Sequence, residues 1–541
     1  MKAQLIGFLH ALQHHQHQIV MDYFFLSALS WSYWVKIRST MLGTVLIGAL
    51  VALSIFAGFA YILTIALYLL YPNYLDHIQP TVASISWLWM HGHKLYPNWM
   101  SGEIYGLVYG PVLFLINGMA LLLSPSIFTS KLPGVLSLGT ALGATWLLLT
   151  WKTSSLASLF LLAALIMVFV PFDEFAYSNR AEPFLILVSV LALLLAVRSS
   201  SLVAGVGIGV LAGLAIGLKL HGFVYTIPAA AVTLARVKTP SGRVLMAIIG
   251  SACAVASALP PYLEKDVSII SYLRFLTLEL DNGLSSSLRP GVLPATLLIE
   301  NLLFAFILTA PLVGILIWRK PTLNTPDRCL LAALGISVAV AAVIGATSGG
   351  GAYHLLPLAP ICIYGIAVVC ESSKTETRTV AALIFVSFFL GYGPQLYLRV
   401  RSLIGLYHVA DPSEREKIAE LKTYLSSYPQ AQIGISDHQH YRDYFYRVFS
   451  VWNGRPLDID FSTWMDMANA GLDEKHIVRF IEGCTVPTWI LPLGPPFTMF
   501  NWYTDLPLLS ESFRTTFSTN YRQIETGRAY QVWTCQSPSR G

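Results

Sequence analysis

The sequence predicts an α-helical polytopic membrane protein with about eleven transmembrane helices and a small α/β domain at its C-terminal end. Three observations carry that prediction. Hydrophobic residues make up 55% of the 541 residues and charged residues 12%, against about 25% charged in a soluble chain. Apolar runs long enough to cross a bilayer recur from residue 43 to residue 398, and the composition turns polar at about residue 400. The formal net charge of +5 is small and spread over short loops, so it bears on topology and implies no nucleic-acid partner.

Residues 1–42 form a cytoplasmic or interfacial segment. "HALQHHQHQ" gathers His10, His14, His15 and His17, which reads as a disordered tail or as a metal tract. "YFFLSALSWSYWVKIR" reads as an interfacial helix. The first strong apolar run is long and lacks a small-residue cleavage site, so it reads as a retained anchor. Spans are expected at about 43–70, 133–151, 156–172, 182–198, 202–218, 221–235, 244–262, 292–318, 329–347, 354–371 and 378–398. The run "GLVYGPVLFLINGMALLL" at 106–123 either spans or lies along the surface.

Basic residues choose between those two. Lys36, Arg38, "RVKTPSGR", "WRKPTLNTPDR" and "KTETR" mark cytoplasmic loops. If 106–123 lies along the surface, Lys152 and Arg198 also fall inside and "DEFAYSNRAE" faces out. Every basic loop then fits, with the N terminus inside and the C terminus outside. The transmembrane domain is 43–398, with outer loops at 71–132 and 262–291.

The tail, 399–541, reads as an extracytoplasmic α/β domain of about 140 residues, enough to bury its own core. Asp411 is placed as a helix N-cap before Pro412. "AQIGISD" and "TWILPLG" have the pattern of short buried strands, "DEKHIVRFIEG" that of an amphipathic helix, and "YRQIETGRAYQVWTC" that of a hairpin. Of six cysteines, Cys253, Cys329, Cys362 and Cys370 lie in spans as small hydrophobes. Cys484 and Cys535 lie in the exported domain, where they form a disulfide or stay as two buried thiols.

This topology collects polar stretches on the outer face: 71–106, 173–182, 218–222, 262–290 and 348–357. Asp76, just past the first span, is placed to act as general base on an acceptor hydroxyl, or is a solvated loop residue. Lys219 and His221 interrupt the apolar run 202–235; they suit an anion such as a lipid phosphate, or are a snorkelling lysine beside a turn. "GGGAYH" could present backbone N–H groups and His354 to an anion, or be a flexible hairpin. Arg180 and Glu182 either line a polar cleft or form an ion pair capping a span. Glu300 and Asn301 lie inside a span, about 12 Å from its outer end at 1.5 Å per residue; Glu300 is functional or a neutral structural group. Asp173 and Glu174 are adjacent acids, and no DxD-type set accompanies Asp76. There is no P-loop, Rossmann glycine pattern, CxxC or HExxH, so neither a metal nor another cofactor is supported.

An Asp after the first span is followed, in order, by "WMHGHKLYP", "YGPVLFLINGMALL", "SKLPGVLSLGTAL", "YSNRAEPFLILVSVLALL", "GLAIGLKLHGFVYTIPAA" and "GAYHLLPLAP". This arrangement resembles the GT-C superfamily of membrane glycosyltransferases, which includes protein O-mannosyltransferases and lipid A aminoarabinose transferases. The likeness covers about residues 43–398 and the appended outer domain. It implies transfer of a monosaccharide from a polyprenyl-phosphate donor, with inversion and without a covalent intermediate, to an extracytoplasmic glycan, lipid or protein. The setting would be the bacterial inner membrane, with membrane lipids as further partners. Asp76 maps onto the family's catalytic carboxylate. The family often has Asp-Glu there, whereas this chain has Asp76-His77, and Glu103 could supply the second acid. Lys219, His354, Arg180 and Arg289 would bind the donor phosphate, with Arg274 beside them. His77, Glu103, Tyr109, Asp173, Glu174, Glu182, His221 and Tyr353 would line the cleft. Two rivals are a lipid-linked saccharide flippase, which should carry inverted repeats that the sequence lacks, and an O-antigen ligase or polymerase using a pyrophosphate-linked donor.

Overall fold

Runs of apolar side chains too long to remain in water set the architecture. In the computed structural model the described residues are 41–100, 102–284, 293–347, 350–373, 376–406, 411–501 and 504–536. The histidine-rich start, the expected interfacial helix and Arg289 lie outside them. Among the described residues nine helices are long and apolar enough to cross a membrane: Gly43–Leu70, Ile127–Lys152, Ser155–Tyr177, Ser201–Leu218, Pro240–Ala258, Leu297–Arg319, Thr325–Gly345, Ala352–Ser372 and Thr377–Gly405. The protein is an integral membrane protein.

These nine coincide with nine of the expected spans; of the other two, one forms over the expected residues and one is broken. Glu182–Arg198 is a helix of 17 residues whose first residue is a buried acid. The stretch expected at 221–235 is broken into a 3-10 turn, Leu220–Thr226, and a helix of 10 residues, Ile227–Arg236. At Gly222 the chain folds back onto the preceding helix so closely that a Cβ would lie 2.2 Å from the Ala215 carbonyl oxygen. The run at 106–123 yields a helix of 13 residues, Pro111–Leu123, about 20 Å long and short of a 30 Å hydrocarbon core.

The outer loops hold helices that hydropathy does not reveal. Ile78–Met90 is helical and mostly buried, and with only 13 residues it buries Gln79, Thr81, Ser84 and Ser86 as well as Val82, Ile85, Leu88 and Trp89. Ile269–Leu284 is a second such helix. The span expected from 133 starts earlier, at Ile127, where the Ser126 hydroxyl caps the Thr129 N–H at 3.1 Å. Pro133 sits within its second turn.

The C-terminal part contains a four-stranded sheet of β1 (Ala431–Ile433), β2 (Thr488–Pro492), β3 (Tyr521–Thr526) and β4 (Tyr530–Cys535), in the order β1-β2-β4-β3. β1 runs parallel to β2, and the other pairs are antiparallel. Trp464, Trp489, Phe497, Phe513 and Phe517 fill its core. Cys484 and Cys535 are joined by a disulfide, with Cα atoms 6.0 Å apart. The domain meets the loop after the first span directly. Ile104 forms a parallel bridge with Ile459, the Thr463 hydroxyl donates to the Gly106 carbonyl at 2.9 Å, and Arg479 donates to the carbonyls of Trp99, Met100 and Gly102.

Candidate active site

The helix Met41–Leu70 ends where aromatic and polar residues replace aliphatic ones, and Asp76 follows it closely. Asp76 is partly buried, and both its oxygens are engaged. Arg180 donates to Oδ2 at 2.5 Å and His77 Nδ1 lies 2.8 Å from Oδ1. Burial pushes the Asp76 carboxyl up, but the charges and hydrogen bonds of His77 and Arg180 outweigh it and hold the group well below the usual carboxylate range.

Arg180 comes from the turn between the short helix Asp173–Tyr177 and Glu182–Arg198. That turn packs so tightly on Ile127–Lys152 that a Cβ at Gly134 would lie 1.9 Å from the Ser178 carbonyl oxygen. Asn179 ties it to the Asp76 side by donating to the Gln79 carbonyl at 3.0 Å. Glu182 opens its helix with Pro183 behind it, where the helix dipole favours an acid. Lys219, just past Ser201–Leu218, donates to Glu182 Oε1 at 2.8 Å. Glu182 Oε2 and Arg180 Nε face one another at 3.5 Å, and neither atom has a hydrogen-bond partner.

Aromatic rings floor this row of alternating charges. Lys219 Nζ lies 5.3 Å from the Tyr109 ring and 5.4 Å from the Tyr353 ring. Tyr353 stacks on Phe175 at 4.2 Å, and the Arg180 guanidinium covers Phe175 at 4.6 Å. His354 Nδ1 and His221 Nε2 are 3.3 Å apart, and Tyr225 donates to the His354 carbonyl at 2.9 Å. The helix that ends at Lys219 also lines an apolar groove of about 420 Å³, with Ile208, Ile216, Phe223, Ala230 and Met246.

The mostly helical chain therefore carries its polar cluster at helix ends and joins a small sheet domain to the loop bearing Asp76. No protein-family model matches the sequence, and no curated protein matches it either. Among solved structures the chain is similar to apo ArnT from Cupriavidus metallidurans, with a TM-score of 0.52 and 12% identity over 91% of this chain and 98% of that one. It is similar also to ArnT from the same organism bound to undecaprenyl phosphate, with a TM-score of 0.51 and 12% identity over 92% and 99%. This is an ArnT-like fold.

On this ArnT-like scaffold Asp76, His77, Tyr109, Arg180, Glu182, Lys219, His221, Tyr353 and His354 come together, and several expected residues do not join them. Asp173 is turned to Arg399, which donates to both of its oxygens (2.6 Å from Nε to Oδ2), and to the Tyr177 hydroxyl at 3.0 Å. Glu174 lies 3.7 Å from Arg399 Nη2 but also within electrostatic reach of Asp76 and Arg180, so it borders the cluster. Glu103 is 4.0 Å from His93, next to the bridge with the C-terminal domain, and the residue paired beside Asp76 is His77. Arg274 is exposed on Ile269–Leu284. Glu300 is exposed on its helix surface, while Asn301 is buried with neither side-chain polar atom hydrogen-bonded. Among the described residues no group of three His, Cys, Asp or Glu side chains is arranged to hold a metal ion.

Sequence reasoning missed Lys131, Phe175, Arg399 and Arg447. Arg447, fully buried in the C-terminal domain, reaches across to Thr81 Oγ1 at 2.6 Å and lies 3.2 Å from Asp460. "SKLP" does flag Lys131 as a lone cation at a helix start. Nothing local marks Arg399, whose partner is 226 positions away.

Proposed function

We propose that the protein is a membrane glycosyltransferase that moves a monosaccharide from a polyprenyl phosphate to an acceptor hydroxyl, with inversion at the anomeric carbon. The observation that carries this reading is a buried row at the helix ends in which Asp76 pairs with Arg180 and Glu182 with Lys219. Asp76 takes the acceptor proton, and the acceptor oxygen bonds to the anomeric carbon from the face opposite the phosphate. The bond from that carbon to the phosphate oxygen breaks, and polyprenyl phosphate leaves with the electron pair. Lys219, Arg180 and His354 stabilise the charge that grows on it. The apolar groove along Ser201–Leu218, the helix that leads into Lys219, offers a place for the isoprenoid chain, and the ArnT structure holding undecaprenyl phosphate supports a donor of this class.

A carboxylate held this firmly by an arginine is a weak base. The donor phosphate would compete for Arg180 and Lys219, drawing Arg180 away from Asp76 and leaving the base stronger once donor is bound. The basic loops support a cleft and C-terminal domain on the extracytoplasmic side of a bacterial inner membrane. The charges gather at helix ends, whereas a transporter would hold its site near the midplane, which weighs against a flippase.

Mass spectrometry of lipid-linked sugars in a deletion strain tests the proposal. A polyprenyl-phosphate monosaccharide should accumulate and return to normal on complementation. An unchanged pool, or accumulation of a pyrophosphate-linked oligosaccharide alone, overturns it.

A further inference from the structure

Lys131 is fully buried near the start of Ile127–Lys152, and burying an ammonium at a membrane edge is costly unless its donors are used. All three are. Nζ donates at 2.8 Å to each of three carbonyls, those of Tyr68, Tyr71 and Asn73. The rings of Tyr68, Tyr71 and Tyr74 surround it at 4.5, 5.7 and 5.8 Å. None of these hydrogen bonds goes to a carboxylate, so Lys131 is not a member of the cleft's row of paired charges.

The carbonyls it takes are those a helix end leaves without partners, and a cation there also meets the negative end of the helix dipole. Tyr68 lies in the last turn of Met41–Leu70, and Tyr71 and Asn73 lie just beyond it. Lys131 thus stitches the final turn to the segment that leads into Asp76. Its neighbour Ser130 holds the same segment through the Tyr74 hydroxyl at 2.8 Å, and the Tyr74 N–H donates to Asn73 Oδ1 at 2.7 Å. From the other side Asn73 Nδ2 donates to the Arg442 carbonyl at 3.2 Å. Three residues after Asn73 the chain delivers the carboxylate that faces Arg180.

We propose that Lys131 is a positioning residue for Asp76, fixing the backbone 68–74 so that the carboxylate meets the acceptor hydroxyl. The inference rests on Asp76 as the base. A misplacement of about 1 Å costs up to about 10²-fold in rate, which sets the scale of effect. The full-length protein, with lipid-linked sugars extracted from host membranes as donor and an envelope fraction as acceptor, tests it in a double-mutant cycle. Lys131→Met should lower turnover about 10–10²-fold while leaving the Kd for undecaprenyl phosphate within about twofold. In an Asp76→Asn background the same change should lower turnover by less than about threefold, because there is no base left to misplace. Equal factors in both backgrounds would make Lys131 merely structural and overturn the inference alone. A Kd weakened as much as turnover would make it a phosphate ligand, with the same consequence. Near-native turnover of Asp76→Asn by itself would overturn the base and the inference together. If Lys131→Met does not fold, Tyr74→Phe, which removes only a hydroxyl from the same turn, enters the cycle, and its equal effect in both backgrounds is equally decisive.

Discussion

The stretch 173–182 carries two charge clusters that the chain treats in opposite ways. Asp173 accepts from Arg399 on both oxygens, from Tyr177, and from the Glu174 N–H at 2.8 Å, so its carboxylate is saturated. A few residues on, Arg180 and Glu182 are as deeply buried, yet Arg180 Nε and Glu182 Oε2 face each other without a hydrogen bond. A buried group lacking a partner is expensive, and a fold tolerates it where a ligand will supply one. Acids close in sequence and alike in burial therefore separate by saturation: Asp173 pins the last long helix to the mouth, while Glu182 and Arg180 keep capacity for a guest.

The sharpest way to break this distinction is at Asp76. Asp76→Asn keeps the shape and removes the proton-accepting charge, so turnover should fall about 10²–10⁴-fold with donor affinity retained. Stopped assays with purified protein measure the first and titration with undecaprenyl phosphate the second. Turnover near that of the native protein would move the base elsewhere.

Lys219→Ala comes next. A lost hydrogen bond to a charged group costs about 1.5–3 kcal/mol, so the donor concentration needed for half-maximal rate should rise about 10–100-fold. Turnover at saturation should fall less. A variant with unchanged donor requirement and reduced turnover would place Lys219 on the transition state alone.

Arg180 is tested by pH. With Arg180 in place the Asp76 carboxyl stays ionised well below the usual carboxylate range, so the acid limb of kcat/KM should lie below about pH 4. The stability its ionised form contributes is present above about pH 3.9 and is lost only as pH falls through the lower folded value. Arg180→Met removes one of the two opposing charges and leaves burial, which acts upward, so the acid limb should move to higher pH. A profile that keeps its shape, scaled down, would show that Arg180 does not set the ionisation of Asp76.

Much of the fold was legible because hydropathy is a one-dimensional signal. Apolar runs at 43–70 or 329–347 need no partner to be recognised, and the pattern of "TWILPLG" and of the terminal hairpin was equally local. The helix Ile78–Met90 escaped because it is short and buries serines, a threonine and a glutamine alongside its apolar residues, which blurs the hydropathy signal. Within the site, Asp76, Arg180, Glu182 and Lys219 were legible as charges at span ends, and Arg180 with Glu182 as a pair, but the pairing of Asp76 with Arg180 and of Lys219 with Glu182 was not. Asp173 read as a cleft residue only because Arg399, far along the chain, could not be seen beside it. Lys131 was missed because its partners are backbone carbonyls, which carry no sequence signature.

The smallest expected effect on turnover is at Asp173, and it tests the saturation rule from its other side. Asp173→Asn leaves Arg399, a third exposed, without its bidentate partner, while Tyr177 keeps an acceptor in the amide oxygen. Exposure of the guanidinium lets water and Glu174 take up part of its charge, so the loss should be about 1–3 kcal/mol of stability, below the cost of breaking a fully buried pair. Thermal unfolding in detergent should therefore shift downward while turnover per folded molecule and donor affinity stay within about twofold of native. Glu182→Gln should lower turnover strongly and, because it removes the buried charge that Lys219 and Arg180 face, should lower the unfolding temperature as well. If Asp173→Asn cut turnover at constant Tm, the saturated cluster would belong to the chemistry as well. Satisfaction of hydrogen bonds would then no longer separate the two sites on this segment.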